Sequence, residues 1–301
     1  MDENIPDQNL VQKDEIPPAP HKRASWWRVL LLALGLYVVG IVILIFTGNP
    51  ILFPTVSMIG CFMIPVTYVA FFYERKHLSD LSLPTIFLSF LYGGLLGSFA
   101  ASILEPLLIS TVTFLTAFEI GLIEEFVKIL GVLVIARRWN HDEELDGMIL
   151  GAAAGMGFAA LESMGYAFTA FLSSGGSLSA SVAVTLLRGI LSPLGHGTWT
   201  AILVGVLFRE SKAGHFRINL KVIGAYLTVV ILHGLWDGLP GVVGLITGSG
   251  LDVFISQSLV GLAGLFVLWR RWREAVRLQL AQIIPEPENE EPKEDIELIQ
   301  Q

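Results

Sequence analysis

Residues 123–130 read IEEFVKIL: two glutamates and a lysine inside an apolar run that reaches Ala136. How this stretch is read decides the fold. On the surface of a soluble helix such residues are ordinary. In a helix that crosses lipid, each ionised group costs at least about 2.5–3.5 kcal/mol and marks a partner or a function. Composition chooses between the two. The 301 residues are 53% hydrophobic and 15% charged, where a soluble domain is about a quarter charged. The mean hydropathy is +0.66. A soluble globular domain is excluded, and the chain reads as a multi-pass membrane protein.

The net charge of −8 sits largely in two tails. Residues 1–25 include MDENIPDQ, and residues 274–301 include PEPENEEPKEDIELIQQ. Both have the Pro- and Glu-rich composition of disordered polar segments, so the acidity describes the tails and not a binding surface. The expected surroundings are the lipid bilayer, with no nucleic acid. The one cysteine, Cys61, lies in an apolar run and forms no intrachain disulfide. The first apolar segment follows about 25 polar residues and offers no small-residue cleavage site, so it reads as a retained anchor.

A span needs about 20 mostly apolar residues. Eight are expected: 27–46, 51–73, 85–105, 111–136, 147–173, 179–208, 221–240 and 251–270, with Glu105-Pro106 as the break between the third and fourth. Lys22, Arg23, Arg28, Arg75, Lys76, Arg137, Arg138, Arg209, Lys212, Arg217, Lys221, Arg270, Arg271, Arg273 and Arg277 all fall on one side of this arrangement. The alternate loops carry no Lys or Arg, which is the positive-inside pattern. The expected fold is all-α, a polytopic membrane helix bundle of about eight transmembrane helices spanning 26–273, with both termini cytoplasmic. Gly93 with Gly97, and Gly151 with Gly155, have the spacing that lets helices approach closely. No internal repeat and no broken helix is evident.

Ionisable residues inside the spans are Glu119, Glu124, Glu125, Lys128, Glu162, Arg188, His196, His233 and Asp237. Counting about 1.5 Å per residue from the cytoplasmic ends places Glu124, Glu125, Glu162, His196 and His233 in one layer, roughly 18–24 Å deep, in the outer half of the bilayer. Glu124 and Glu125 stand four and three residues before Lys128, so both flank one ammonium. His233 and Asp237 share a helix face at i,i+4, as do Phe158 and Glu162. Lys128 and Arg188 offset two of the carboxylates Glu124, Glu125, Glu162 and Asp237, leaving excess negative charge for a proton, a charged histidine or a bound cation to balance. Glu119 is expected to face water, Asp146 to cap a helix start, and His77, His141 and His215 to lie in cytoplasmic loops.

Carboxylates beside histidines suit water activation. A glutamate takes the proton while a histidine stabilises an oxyanion or protonates the leaving group. Alternatively Glu162, His196 and His233 hold a divalent metal such as zinc, with another glutamate as base. No H-E-x-x-H motif is present, and Ser163 and Ser192 lack the base a serine nucleophile needs.

These residues carry a resemblance. EEFVK, then DGMILGAAAGMGFAALES over Asp146–Ser163, then HGTWT and HGLWD resemble, in order, the motifs of the PrsW family of intramembrane proteases. That family is itself distantly similar to the CAAX-processing and bacteriocin-immunity membrane endopeptidases. The match covers about residues 85–240, and Ser163 departs from it where asparagine is common. The resemblance implies cleavage of a membrane-anchored regulator of the anti-sigma type in a bacterial plasma membrane. It implies Glu124 and Glu125 as catalytic carboxylates, with Glu162, His196 and His233 completing the site. Lys128, Asp237 and Arg188 are supporting residues on the charge reading. Metal-assisted hydrolysis and glutamate-activated water both fit; the expected route is glutamate-activated water, with Glu124 or Glu125 as base and His196 and His233 as oxyanion donors. The rivals are a proton-coupled transporter, which would use the same buried groups as a relay, and a non-catalytic scaffold.

Overall fold

The structure is a computed structural model that describes residues 25–76, 78–111, 113–137, 143–212, 215–248 and 251–283. The polar tails up to residue 24 and from 284, and His77, Arg138 and His141, lie outside these residues. The described chain is helical: α1 (Trp26–Thr47), α2 (Leu52–Glu74), α3 (Leu83–Leu108), α4 (Thr116–Ala136), α5 (Glu144–Ser173), α6 (Leu178–Leu191), α7 (His196–Glu210), α8 (Leu220–Thr247) and α9 (Asp252–Ile283). A short 3-10 turn, Ser192–Leu194, joins α6 to α7.

Seven segments are long and apolar enough to cross a membrane, α6 and α7 counting as one. The eighth expected span, α4, carries four charged residues, Glu119, Glu124, Glu125 and Lys128, but packs against α3, α5 and α8 like the others. Outer helices show apolar surface to lipid: Leu32, Val42, Ile45 and Phe46 of α1 are all exposed. In lipid the burial of apolar surface drives nothing, so close packing of small residues must hold the helices together.

Helix α5 shows how. It is buried almost without interruption from Glu144 to Ala160 and is packed between α7 and α3. Gly147, Gly151 and Gly155 recur every four residues toward α7. A Cβ on Gly147 would stand 2.6 Å from the Val204 carbonyl, and one on Gly151 would stand 2.9 Å from the Ala201 Cα. Toward α3, a Cβ on Gly94 would lie 2.9 Å from the Gly157 carbonyl. Backbones in such contact fix the rotation of α5, and with it the direction of Glu162. Arg271 pairs with Glu144, and Gln279 bonds Glu143, tying α9 to the start of α5.

Helix ends follow side-chain chemistry. Ser82, Ser177 and Asn219 accept from first-turn amides of α3, α6 and α8, and Gly48 and Gly248 adopt positive φ after α1 and α8. Three expectations need correction. Helix α3 continues through Glu105-Pro106 to Leu108, at the cost of the one hydrogen bond that Pro106 cannot donate; the break comes at 109–115. The sixth span is broken after all, at Ser192–Leu194, where Pro193 cannot donate to the helix ladder. Asp146 lies inside the first turn of α5, and Glu143 takes the N-cap position without capping the helix through its side chain. The last helix runs to Ile283.

Candidate active site

Lys128 is the hub. Its side chain is fully buried, and its ammonium has three hydrogens and three acceptors. These are Glu124 Oε2 at 3.0 Å, Glu125 Oε1 at 2.8 Å and His196 Nδ1 at 2.7 Å. The helical spacing of EEFVK brings the two carboxylates to it, and the ring of Phe158 lies 4.2 Å below it. Since the ammonium donates to Nδ1, the His196 hydrogen belongs on Nε2, which donates to Glu162 Oε2 at 3.0 Å.

The break at Ser192–Leu194 makes His196 the first residue of α7, so its ring enters the bundle from a helix end. Trp199 packs edge-on against it, with centroids 5.4 Å apart, and tilts 4.9 Å from His233. His233 is held on the other side. Its Nδ1 is 3.0 Å from Glu125 Oε1, while its Nε2 faces Asp237 at 3.3 Å and Glu124 Oε2 at 3.7 Å. Gly121 makes room for it: a Cβ there would come within 3.2 Å of the His233 Cβ. Tyr226 donates to the Leu122 carbonyl at 2.5 Å and locks α8 to α4 beneath the site.

Arg188 of α6 reaches Glu162 Oε2 at 2.5 Å and donates from Nε to Ser163 Oγ at 3.0 Å. Ser163 thus serves as a rest for the guanidinium. All eight residues expected at a site, Glu124, Glu125, Lys128, Glu162, Arg188, His196, His233 and Asp237, meet in one network. Glu119 stands apart, exposed on the outer turn of α4.

Two features differ from the sequence reading. The group that converges as metal ligands is Glu124, His196 and His233, whose donor atoms lie within 4.8 Å of one another. Glu162 is instead bound to Arg188 and to the far nitrogen of His196. The rotation of α5 against α7 decides this, and spacing along one helix says nothing of it. Thr200 was missed: its hydroxyl donates to Glu125 Oε2 at 3.2 Å. Its place one turn after His196 was the available signal.

The site floors a cavity of about 1040 Å³ bounded by α3, α4, α5 and α8. Glu124, Glu162 and Asp237 line it, and Glu125 does not. On the charge-derived topology it opens at the extracytoplasmic ends of these helices.

A helical membrane bundle that sets carboxylates on the floor of an open cavity, with two histidines bonded behind them, defines a class, the intramembrane hydrolases. Residues 82–269, more than half the chain, match the PrsW family of intramembrane metalloproteases, and the chain belongs to that family. It is a multi-pass membrane peptide hydrolase. Comparison with curated proteins and with solved structures returns no match.

Proposed function

We propose that the chain cuts a membrane-anchored protein, of the anti-sigma regulator type, in the outer half of a bacterial plasma membrane. The observation that carries this reading is the convergence of His196 and His233 on Glu124, which lines the floor of an open cavity. Two imidazoles and a carboxylate are a catalytic zinc donor set. The charge also fits. With both histidines neutral, Glu124, Glu125, Glu162 and Asp237 exceed Lys128 and Arg188 by two negative charges, which one divalent ion balances.

Glu124, His196 and His233 would hold such an ion, for which His196 must give up the hydrogen bond that Lys128 makes to its Nδ1. When bound, it acidifies a water molecule and polarises the peptide carbonyl. The remaining work belongs to the chain. Glu125 is fully buried, accepts from Lys128, Thr200 and His233, and does not face the cavity. It is a positioning residue that orients His233, and so it is not the base. Glu162 faces the cavity outside the ligand set and is steadied by Arg188. It takes the proton from the attacking water and passes it to the leaving amine.

One observation favours a second reading, in which Lys128 is the resident cation. Its three donors already bind Glu124, Glu125 and His196. Glu124 is then the base, and the histidines stabilise the oxyanion. Both readings are tested with purified protein and a panel of single-span reporters. Cleavage by wild type that disappears in Glu124→Gln and Glu162→Gln supports hydrolysis at this site. Equal cleavage by both variants overturns it.

A further inference from the structure

The cavity has a fourth carboxylate that the chemistry above does not use. Ser98, Ala101, Ser102 and Glu105 form one face of α3 and line the cavity wall. The other three carboxylates there are paired: Glu124 with Lys128, Glu162 with Arg188 and Asp237 with His233. The Glu105 carboxylate has no hydrogen-bond or ion-pair partner among the described residues. Its position does not serve the helix either. It precedes Pro106 in the last turn of α3, where the helix dipole disfavours a negative charge. An anionic side chain that costs its own helix and lacks an internal partner faces the space that a substrate must occupy.

Its distance from the reacting groups can be counted. Gly97 of α3 sits level with Phe158 and the stem of Lys128, where a Cβ would stand 2.9 and 3.8 Å from them. Glu105 is two turns further outward, and the Lys128 head and Glu124 rise part of the way toward it. The gap is about 6–12 Å. An extended peptide covers that in roughly two to four residues at about 3.3 Å each.

We propose that Glu105 is a specificity-determining residue, which receives a lysine or arginine side chain of the substrate two to four residues outward of the cleaved bond. Among the described residues no lysine or arginine lines the cavity to compete for it. The proposal rests on the protease reading for the register of that bond, and its test separates the two.

Single-span reporter peptides carry Lys, Gln or Glu at each of these positions, with cleavage sites mapped by mass spectrometry. For wild type the Lys reporter should exceed the Gln reporter in kcat/KM by about tenfold, the factor a partly desolvated ion pair supplies. In Glu105→Gln that ratio should fall to about one, and in Glu105→Lys the Glu reporter should overtake the Lys reporter. A wild-type ratio near one, or a ratio that survives Glu105→Gln, overturns the proposal. The same ratios are read in binding, with Glu162→Gln as the inactive background and Glu105→Gln added to it. If no reporter is cut, the protease reading fails alone, and the binding ratios still decide whether Glu105 selects a cation.

Discussion

Replacing Lys128 with methionine removes an ammonium from the centre of the bundle and keeps most of its volume. At an effective dielectric constant of about 20, the pair at 2.8 Å with Glu125 is worth about 6 kcal/mol and the pair at 3.0 Å with Glu124 about 5.5 kcal/mol. Desolvating the ammonium costs several kcal/mol and offsets much of this. What remains after the cation is deleted is two buried carboxylates without their shared counter-charge. Breaking a buried pair in this way costs about 3–5 kcal/mol. Lys128→Met should therefore lose that much stability in reversible unfolding from detergent micelles. Adding Glu125→Gln should recover part of it, with a coupling of about 1–3 kcal/mol in the double-mutant cycle. If the site takes a divalent ion, saturating metal should narrow the deficit, since the ion replaces the missing positive charge. A loss below about 1 kcal/mol, or no coupling with Glu125, would refute the assignment of Lys128 as the hub.

Three further outcomes follow from the geometry. Glu162→Gln should lower kcat by about 10²–10⁴-fold while bound metal, measured by elemental analysis, stays at the wild-type level, whereas Glu124→Gln should lose both. Gly121→Ala puts a methyl 3.2 Å from the His233 Cβ, so it should displace the ring by a few tenths of an ångström and cut kcat/KM about tenfold or more, with stability changed by about 1 kcal/mol at most. Thr200→Val deletes the hydroxyl that donates to Glu125 Oε2; unfolding should show a loss of about 1–3 kcal/mol, because the carboxylate oxygen is left buried.

Much of the site was legible because it is written in helical spacing. Glu124, Glu125 and Lys128 meet through i,i+3 and i,i+4 contacts within α4, and His233 and Asp237 within α8, with no help from the rest of the fold. The common depth of the polar groups was legible because loop charges mark where each helix begins. Contacts that depend on one helix's rotation against another were not. Glu124, not Glu162, joins the two histidines because glycines 147, 151 and 155 set the face that α5 turns to α7. The helix break before His196 was hidden inside an apolar run, although Pro193 and Gly195 punctuate it. Glu105 escaped notice because Pro106 reads as a helix end, and only an α3 that continues to Leu108 carries this carboxylate on the cavity face.

The most direct test of the account is the metal dependence of cleavage by the purified full-length protein. Elemental analysis and a reporter assay are run on the same preparation before chelation, after chelation and after restoring zinc. The account predicts about one equivalent of metal per chain, loss of cleavage on its removal and return of cleavage on its restoration. Undiminished cleavage by protein stripped of metal would contradict it and leave Glu124 as the base, with Lys128 as the site's own cation.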